Sequence, residues 1–359
     1  MRGLLSGQGW RNTLLSVPNS DSEESPIVLF PDGIKVLYDS PDAAVDVCFI
    51  HGLNGDREKT WTADRQSAPW PEILLPSELQ DVRILVYGYN AHVVRKGVAA
   101  STRLVDHAAN LLGDLTSDRA RYSASSRPLV FVAHSLGGLV CKKAILLSRN
   151  NPEPHLRSIF DYTKGVIFMG TPHKGSWLAY WANLSASALG LVKSTNRSLL
   201  TTLRLDDQLL ESIQRDFWAM VREQREASRS LEITCFFEAL PSSILGRAVT
   251  VVSEDSATLD GYSSFSIHAN HRDMVKYNSA EDNGFKRLLG ELTRWRDQAR
   301  DSEARQPEST ETQIQGPVGS SFYNYGGDQV NAPGGTVNIS RGSGNQLPGA
   351  TFSGPVHFG

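Results

Sequence analysis

Three cysteines are all that 359 residues provide, and Cys48, Cys141 and Cys235 each lie inside an apolar run. An odd and small number of core-like thiols argues against a disulfide scaffold or a zinc cluster and points to a reducing compartment, so a cytoplasmic protein is expected. No apolar stretch approaches the roughly 18 residues that a membrane-spanning helix requires. The stretch from Met1 to Ser20 contains Arg2 but neither a long apolar core nor a small-residue cleavage site, so a secretory leader is not expected. A basic excess is also missing: 36 Lys and Arg stand against 39 Asp and Glu, a formal charge of −3, which disfavours nucleic acid as a partner. What remains is ordinary globular stock, 40% apolar and 21% charged, in a chain long enough for one generous core plus insertions or a tail.

The composition divides the chain. Residues 1–25 form an N-terminal extension, 26–300 alternate between strand-like and helix-like patterns, 301–315 are polar and aperiodic as a linker would be, and 316–359 change again. Strand-like runs occur at Val45–Ile50, Val82–Tyr87, Pro128–Ala133, Gly165–Met169, Ile233–Phe237 and Ala248–Val252. Ile27–Phe30 and Ile34–Tyr38 read as a hairpin around Pro31-Asp-Gly33. Runs so nearly free of polar interruption mean strands buried on both faces, as in a mostly parallel sheet. Between them, Val98–Leu115 places Leu104, Ala108, Leu111 and Leu115 on one helical face, and Leu136–Leu147 is apolar with Lys142 and Lys143 expected outward. Leu205–Arg222 and Glu281–Trp295 are amphipathic as well. Alternation of this kind predicts an α/β, doubly wound domain with helices on both faces of a central sheet.

The chemistry concentrates at Val132-Ala-His-Ser-Leu-Gly-Gly-Leu139, where a buried strand meets a small-residue turn and a helix begins at once. This is the nucleophile-elbow pattern with Ala133 in place of the first glycine and Gly137 kept. Small neighbours let the backbone turn sharply at Ser135, lift its hydroxyl clear of the sheet and leave the Leu136 amide at a helix N-terminus to meet an oxyanion. Phe49-Ile-His-Gly-Leu-Asn54 follows the first strong strand, and its turn is expected to supply the second oxyanion amide, from Leu53 or Asn54. No residue pattern calls for a metal or an organic cofactor.

His51-Gly-Leu, Ala133-His-Ser-Leu-Gly-Gly138, Gly170-Thr-Pro-His-Lys-Gly175 and Asn270-His-Arg-Asp-Met-Val-Lys-Tyr277 occur in that order. In this set, over roughly residues 26–298, the chain resembles the α/β-hydrolase domain of lipase-like serine esterases, in particular fungal cell-death effectors of the SesB type. The resemblance implies an α/β-hydrolase fold and an acyl-ester or lipid substrate. It also implies His271 as general base, since His271 matches the family's base motif; His268 is the nearby alternative. In this fold the order is Ser, then acid, then His. Glu238, at the end of the Ile233–Phe237 run, is the expected acid, with Asp255 and Glu254 as competitors. His134 and His173 are expected to pack and hydrogen-bond around the site.

Residues 176–192 carry no charge and place Trp177, Trp181, Leu184 and Ala188 along one stripe. Such a stripe suits a cap over an acyl site, a face that meets a membrane surface, or a plain core helix. The last 44 residues hold 11 of the 30 glycines and two charged side chains, Asp328 and Arg341. Asn324, Asn331, Asn338 and Asn345 recur every seven residues between glycine turns, and Thr336–Ile339 and Ala350–Phe352 are strand-like. Low charge and stacked asparagines favour cross-β self-association, and Pro333 and Pro348 belong in turns. The Asn324-Tyr-Gly-Gly-Asp-Gln329, Gly344–Gly349 and Phe352–Gly359 segments resemble the sigma class of prion-forming motif. That resemblance implies a NACHT-type receptor with a similar motif as partner and templated amyloid growth as trigger; clustering would then either raise local concentration at a membrane, to which the chain would be recruited on activation, or relieve a closed cap. A non-catalytic membrane-damaging or adaptor module is the alternative from a different class, and a housekeeping thioesterase or carboxylesterase a third.

Overall fold

The computed structural model describes residues 32–52, 55–90, 100–174, 197–229, 231–244, 247–305, 322–325, 328–331 and 338–341. Two compact units result, Met1–Arg300 and Asp301–Gly359.

The larger unit is organised by seven strands: β1 (Gly33–Asp39), β2 (Val45–Ile50), β3 (Val82–Gly88), β4 (Leu129–His134), β5 (Thr163–Met169), β6 (Glu232–Glu238) and β9 (Ser263–Ile267). They lie in the order β1-β3-β2-β4-β5-β6-β9. β1 pairs antiparallel with β3, and every other neighbour is parallel. This mostly parallel sheet, with helices on both faces, is the α/β-hydrolase fold.

Two apolar clusters explain the uninterrupted hydrophobic runs. On β2, Cys48 and Ile50 enter one cluster while Val45, Val47 and Phe49 enter the other. β4 divides the same way, with Leu129, Phe131 and Ala133 against Val130 and Val132. A strand covered on both sides must be apolar at every position rather than at alternate ones. The first cluster is closed by α3 (Ala100–Arg121), α4 (Gly137–Arg149), α5 (Pro154–Tyr162) and α6 (Arg197–Glu226). Leu104, Ala108, Leu111 and Leu115 all point into it, as their spacing predicts. The second is closed by α1 (Trp70–Ile73), α2 (Leu75–Glu78) and α8 (Asn283–Arg305), with Trp70, Leu75, Phe285, Leu288, Leu292 and Trp295 buried. Gly165 is required by this packing: a Cβ there would lie 2.5 Å from the Trp295 ring.

One charge sits inside β2. Asp46 is fully buried and accepts from Arg119 at 2.6 Å and Arg127 at 2.9 Å. Removing a single partner from such a pair strands the other charge and typically costs about 3–5 kcal/mol.

Two expectations need correction. The apolar run Ala248–Val252 is not a strand of the central sheet: Arg247–Val249 forms β8, which among the described residues pairs with β7 (Ser242–Ile244), and Val251 and Val252 are buried in the turn that follows. The strand beside β6 is β9, whose composition is largely serine. Lys142, expected outward, is fully buried. The Ile27–Phe30 half of the expected hairpin lies outside the described residues; the Ile34–Tyr38 half falls within β1, which pairs with β3.

The smaller unit contains three short strands, β10 (Phe322–Tyr325), β11 (Asp328–Asn331) and β12 (Asn338–Arg341), in one antiparallel sheet of that order. Asn324 is opposite Gln329, and Asn331 is opposite Asn338. Two of the heptad-spaced asparagines are thus cross-strand partners. β12 contains Asn338 and Ile339 of the Thr336–Ile339 run; 336–337 and 350–352 lie outside the described residues.

Candidate active site

The site is assembled from the carboxyl ends of successive parallel strands. β4 ends at His134, α4 starts at Gly137, and the intervening Ser135 has φ +54, the left-handed region that a non-glycine residue rarely occupies. Its amide donates to the Met169 carbonyl at 2.9 Å, and its carbonyl accepts from Thr171 Oγ1 at 3.1 Å. Both partners flank the turn after β5, so the elbow is tied to the neighbouring strand end. The small residues are steric requirements. A Cβ on Gly137 would collide with the Ile50 and His51 carbonyls, and one on Gly138 would collide with the Thr171 side chain. The Leu136 backbone occupies the N-cap position of α4, where amides face outward from the helix start.

The turn after β2 runs beside this elbow. A Cβ on Gly52 would stand 2.7 Å from Ser135 Cβ. His51 bonds through Nδ1 to the Gly52 carbonyl at 2.9 Å, so Nδ1 carries the proton and Nε2 accepts from the Tyr89 amide at 3.3 Å. The Tyr89 hydroxyl donates to the His51 carbonyl at 2.9 Å, and its ring stacks on the His51 ring at 4.4 Å. Tyr89, just past β3, is a residue that sequence reasoning missed. A tyrosine directly following an apolar strand was the available signal. Leu53 and Asn54, the expected second oxyanion donors, lie outside the described residues, as does the 176–192 segment.

His271 and Glu238 meet. The imidazole Nδ1 is 2.7 Å from Glu238 Oε2, and both side chains are buried. Glu238 Oε1 accepts the Val251 amide at 2.6 Å, which uses both carboxylate oxygens. With Nδ1 turned to a carboxylate, the other ring nitrogen, Nε2, is buried and has no hydrogen-bond partner among the described residues. Against the ring lies Gly170 (φ +57), where a Cβ would be 2.9 Å from His271 Cε1. The competing acids are elsewhere: Glu254 and Asp255 belong to α7 (Glu254–Ala257) and are exposed, as is His268.

His134 and His173 take separate places. His134 Nε2 is 3.0 Å from the His271 carbonyl, and the two rings lie 4.9 Å apart. Burial, and then the neighbouring His271, hold His134 well below the usual imidazole range. His173 Nδ1 is 2.6 Å from Lys142 Nζ, which also donates to Gln214 Oε1 at 2.5 Å. Phe168, Phe217 and Trp218 surround that ammonium at 4.8–5.5 Å. Burial pulls the Lys142 pKa down to about 7, and among the described residues no carboxylate forms an ion pair with it. Burial, followed by the Lys142 charge, keeps His173 well below its ordinary value. Among the described residues no three His, Cys, Asp or Glu side chains converge as metal ligands.

Comparison with known proteins bears on the body and on the C-terminal segment. Residues 46–216 match the family model described as "Putative serine esterase (DUF676)", and residues 319–359 match the "Sigma domain on NACHT-NTPases". Protein SERAC1 of Mus musculus is 26% identical over 284 residues, covering 72% of this chain and 41% of the relative. Protein SERAC1 of Homo sapiens is 28% identical over 271 residues, covering 69% and 39%. The chain therefore spans about two fifths of the length of these relatives. Among solved structures, the Bacillus licheniformis lipase BlEst2 superposes with a TM-score of 0.44 at 18% identity, covering 71% of this chain and 97% of the lipase. An α/β-hydrolase body similar to serine esterases and a C-terminal segment similar to the sigma domain of NACHT-NTPases thus share one chain.

Proposed function

We propose that the chain is a serine hydrolase of acyl esters, lipids among them, in which Ser135 is the nucleophile, His271 the general base and Glu238 the acid that orients it. The observation that carries this reading is the His271–Glu238 pair. A carboxylate fixes Nδ1 at 2.7 Å and leaves Nε2 bare, buried and unpartnered, at the strand ends that also carry Ser135. In the reaction, Ser135 Oγ attacks the acyl carbonyl carbon as its proton passes to His271 Nε2. The imidazolium that forms is stabilised by the Glu238 carboxylate and then protonates the departing alkoxide. Water, deprotonated by the same nitrogen, cleaves the acyl-enzyme and restores Ser135. The Leu136 and Leu53 amides receive the developing oxyanion. Labelling by a fluorophosphonate probe tests the assignment: it is expected to be lost in Ser135→Ala, and labelling that survives in that variant refutes the nucleophile.

The regulatory half of the reading is that residues 316–359 cluster the hydrolase by templated cross-β growth from a NACHT-type receptor, making it a cell-death effector. Support comes from the sigma-domain match over 319–359, the short antiparallel strands and the Asn331–Asn338 pairing. The 316–359 peptide is expected to form fibres with spacings of about 4.7 and 10 Å while residues 1–300 do not. A peptide that stays monomeric when seeded with fibres of a receptor motif refutes it. Forced clustering of Ser135→Ala separates the two classes of effector: loss of toxicity favours the enzyme, and retention favours a non-catalytic module.

A further inference from the structure

Three contacts hold His271, and the mechanism above uses only one. Glu238 sets the ring through Nδ1. Gly170 presents a bare backbone to the ring face, where any side chain would intrude. The third contact reaches the main chain: His134 Nε2 lies 3.0 Å from the His271 carbonyl oxygen, across 137 residues of sequence. A carbonyl can only accept, so Nε2 carries the hydrogen and Nδ1 is a bare lone pair. That Nδ1 is buried and has no hydrogen-bond partner, and it faces the turn after β2, 3.2 Å from where a Gly52 Cβ would be. His134 is next in sequence to Ser135, so its bond joins the residue bearing the hydroxyl's backbone to the residue bearing the base.

We infer that His134 is a positioning residue, whose Nε2–H clamps the His271 carbonyl and so sets the separation between the Ser135 hydroxyl and the His271 ring. The inference rests on His271 being the base. The clamp needs a neutral donor. A second cation within 5 Å of the imidazolium formed during turnover would oppose that charge. Burial, and then the neighbouring His271, favour the neutral form of His134 and outweigh the bond to the His271 carbonyl, which favours the charged one. A neutral imidazole is therefore suited to this place, whereas lysine or arginine would repel the imidazolium and leucine would let the base loop drift.

The test uses the full chain with p-nitrophenyl butyrate and a fluorophosphonate probe, comparing wild type, Ser135→Ala, His134→Leu, His134→Gln and His134→Asn. Misplacement of a catalytic group by about 1 Å costs on the order of 100-fold in rate. In His134→Leu, kcat and the probe-labelling rate are expected to fall by about 10- to 100-fold with KM within about threefold of wild type. His134→Gln, whose amide N–H reaches as far as Nε2, is expected to recover most of that loss, and His134→Asn, one methylene shorter, is not. If the Leu variant does not fold, the Gln–Asn comparison decides alone: a fast Gln and a slow Asn support the clamp, and equal rates overturn it. Wild-type chain that shows no Ser135-dependent labelling defeats the hydrolase reading itself. Ser135-dependent labelling that His134→Leu leaves at the wild-type rate defeats the clamp alone.

Discussion

Glu238→Gln isolates the acid without changing its shape, and its outcome can be worked from two distances. Glu238 accepts two hydrogens, from the Val251 amide at 2.6 Å and from His271 Nδ1 at 2.7 Å. A glutamine has one oxygen and one amino group, so it can satisfy only one of these donors. If the oxygen stays with Val251, the amino group faces His271 Nδ1 and forces the proton to Nε2, where it blocks acceptance from Ser135. Imposing the wrong tautomer on a triad histidine lowers kcat by about 10⁴. If the amide flips, the tautomer is kept but the buried Val251 N–H meets an N–H, at a cost of about 1–3 kcal/mol. That penalty alone limits the competent population by a factor between about 5 and 150. Glu238→Gln is therefore expected to lose at least about fivefold and up to about 10⁴-fold in kcat against p-nitrophenyl butyrate. Asp255→Asn, at an exposed position on α7, should stay within about twofold of wild type. The reasoning is refuted if Glu238→Gln retains wild-type kcat, and doubly so if Asp255→Asn abolishes it.

Two further perturbations probe the packing around the pair. Gly170→Ala puts a Cβ 2.9 Å from His271 Cε1 at a residue with φ +57, so the strain of about 1–2 kcal/mol is joined by displacement of the base. A lower thermal midpoint and a roughly 100-fold slower probe labelling are expected, and an Ala variant labelled at the wild-type rate refutes the close approach. Lys142 has a folded pKa of about 7 against 10.5 for an ordinary lysine, so between those values the unfolded chain binds the extra proton and stability rises with pH. Urea unfolding of wild type should gain stability from pH 7 towards 10, an upper limit of about 5 kcal/mol from this group. Lys142→Met should flatten that rise. Parallel pH profiles for the two proteins refute the buried neutral lysine.

How much of this was legible depends on which kind of constraint wrote the signal. The elbow was readable because its steric demands fall on adjacent residues: Ala133 and Gly137 are small for reasons that lie within a few residues of Ser135 and in the facing turn after β2. β2 to β6 were readable because two-sided burial leaves few polar residues, Asp46, Arg83 and Thr234 being the buried exceptions. β9 was not, since it is an edge strand: only Phe265 and Ile267 of Ser263–Ile267 join the core, and the serines between them give no hydrophobic signature. The more apolar Ala248–Val252 run misleads for a related reason, because Val251 and Val252 are buried as a turn whose amide serves Glu238. Lys142 misled for a third: helical spacing places lysines on a wet face, but its partners His173 and Gln214 arrive from 31 and 72 residues away. The choice between Glu238 and Asp255 was likewise open in chain order, and only the 2.7 Å contact to His271 favours the first.

The site follows from the sheet's parallelism more than from any one motif. Parallel strands bring their carboxyl ends to one edge, and each end delivers one part. β2 leads to His51 and Gly52, β3 to Tyr89, β4 to Ser135, β5 to Gly170 and Thr171, β6 to Glu238, and the turn after β9 to His271. These parts are cross-linked mainly to adjacent ends: Tyr89 to His51, Ser135 to Met169 and Thr171, Gly170 to Phe236, and His134 to His271. An antiparallel neighbour would deliver its amino end instead and break the row; among the described strands of this sheet the one antiparallel member, β1, lies beyond β3, outside that row. A substitution that shifted one strand end would thus pass through these bonds to the next, so changes far from Ser135 at the carboxyl edge should lower activity before they lower stability.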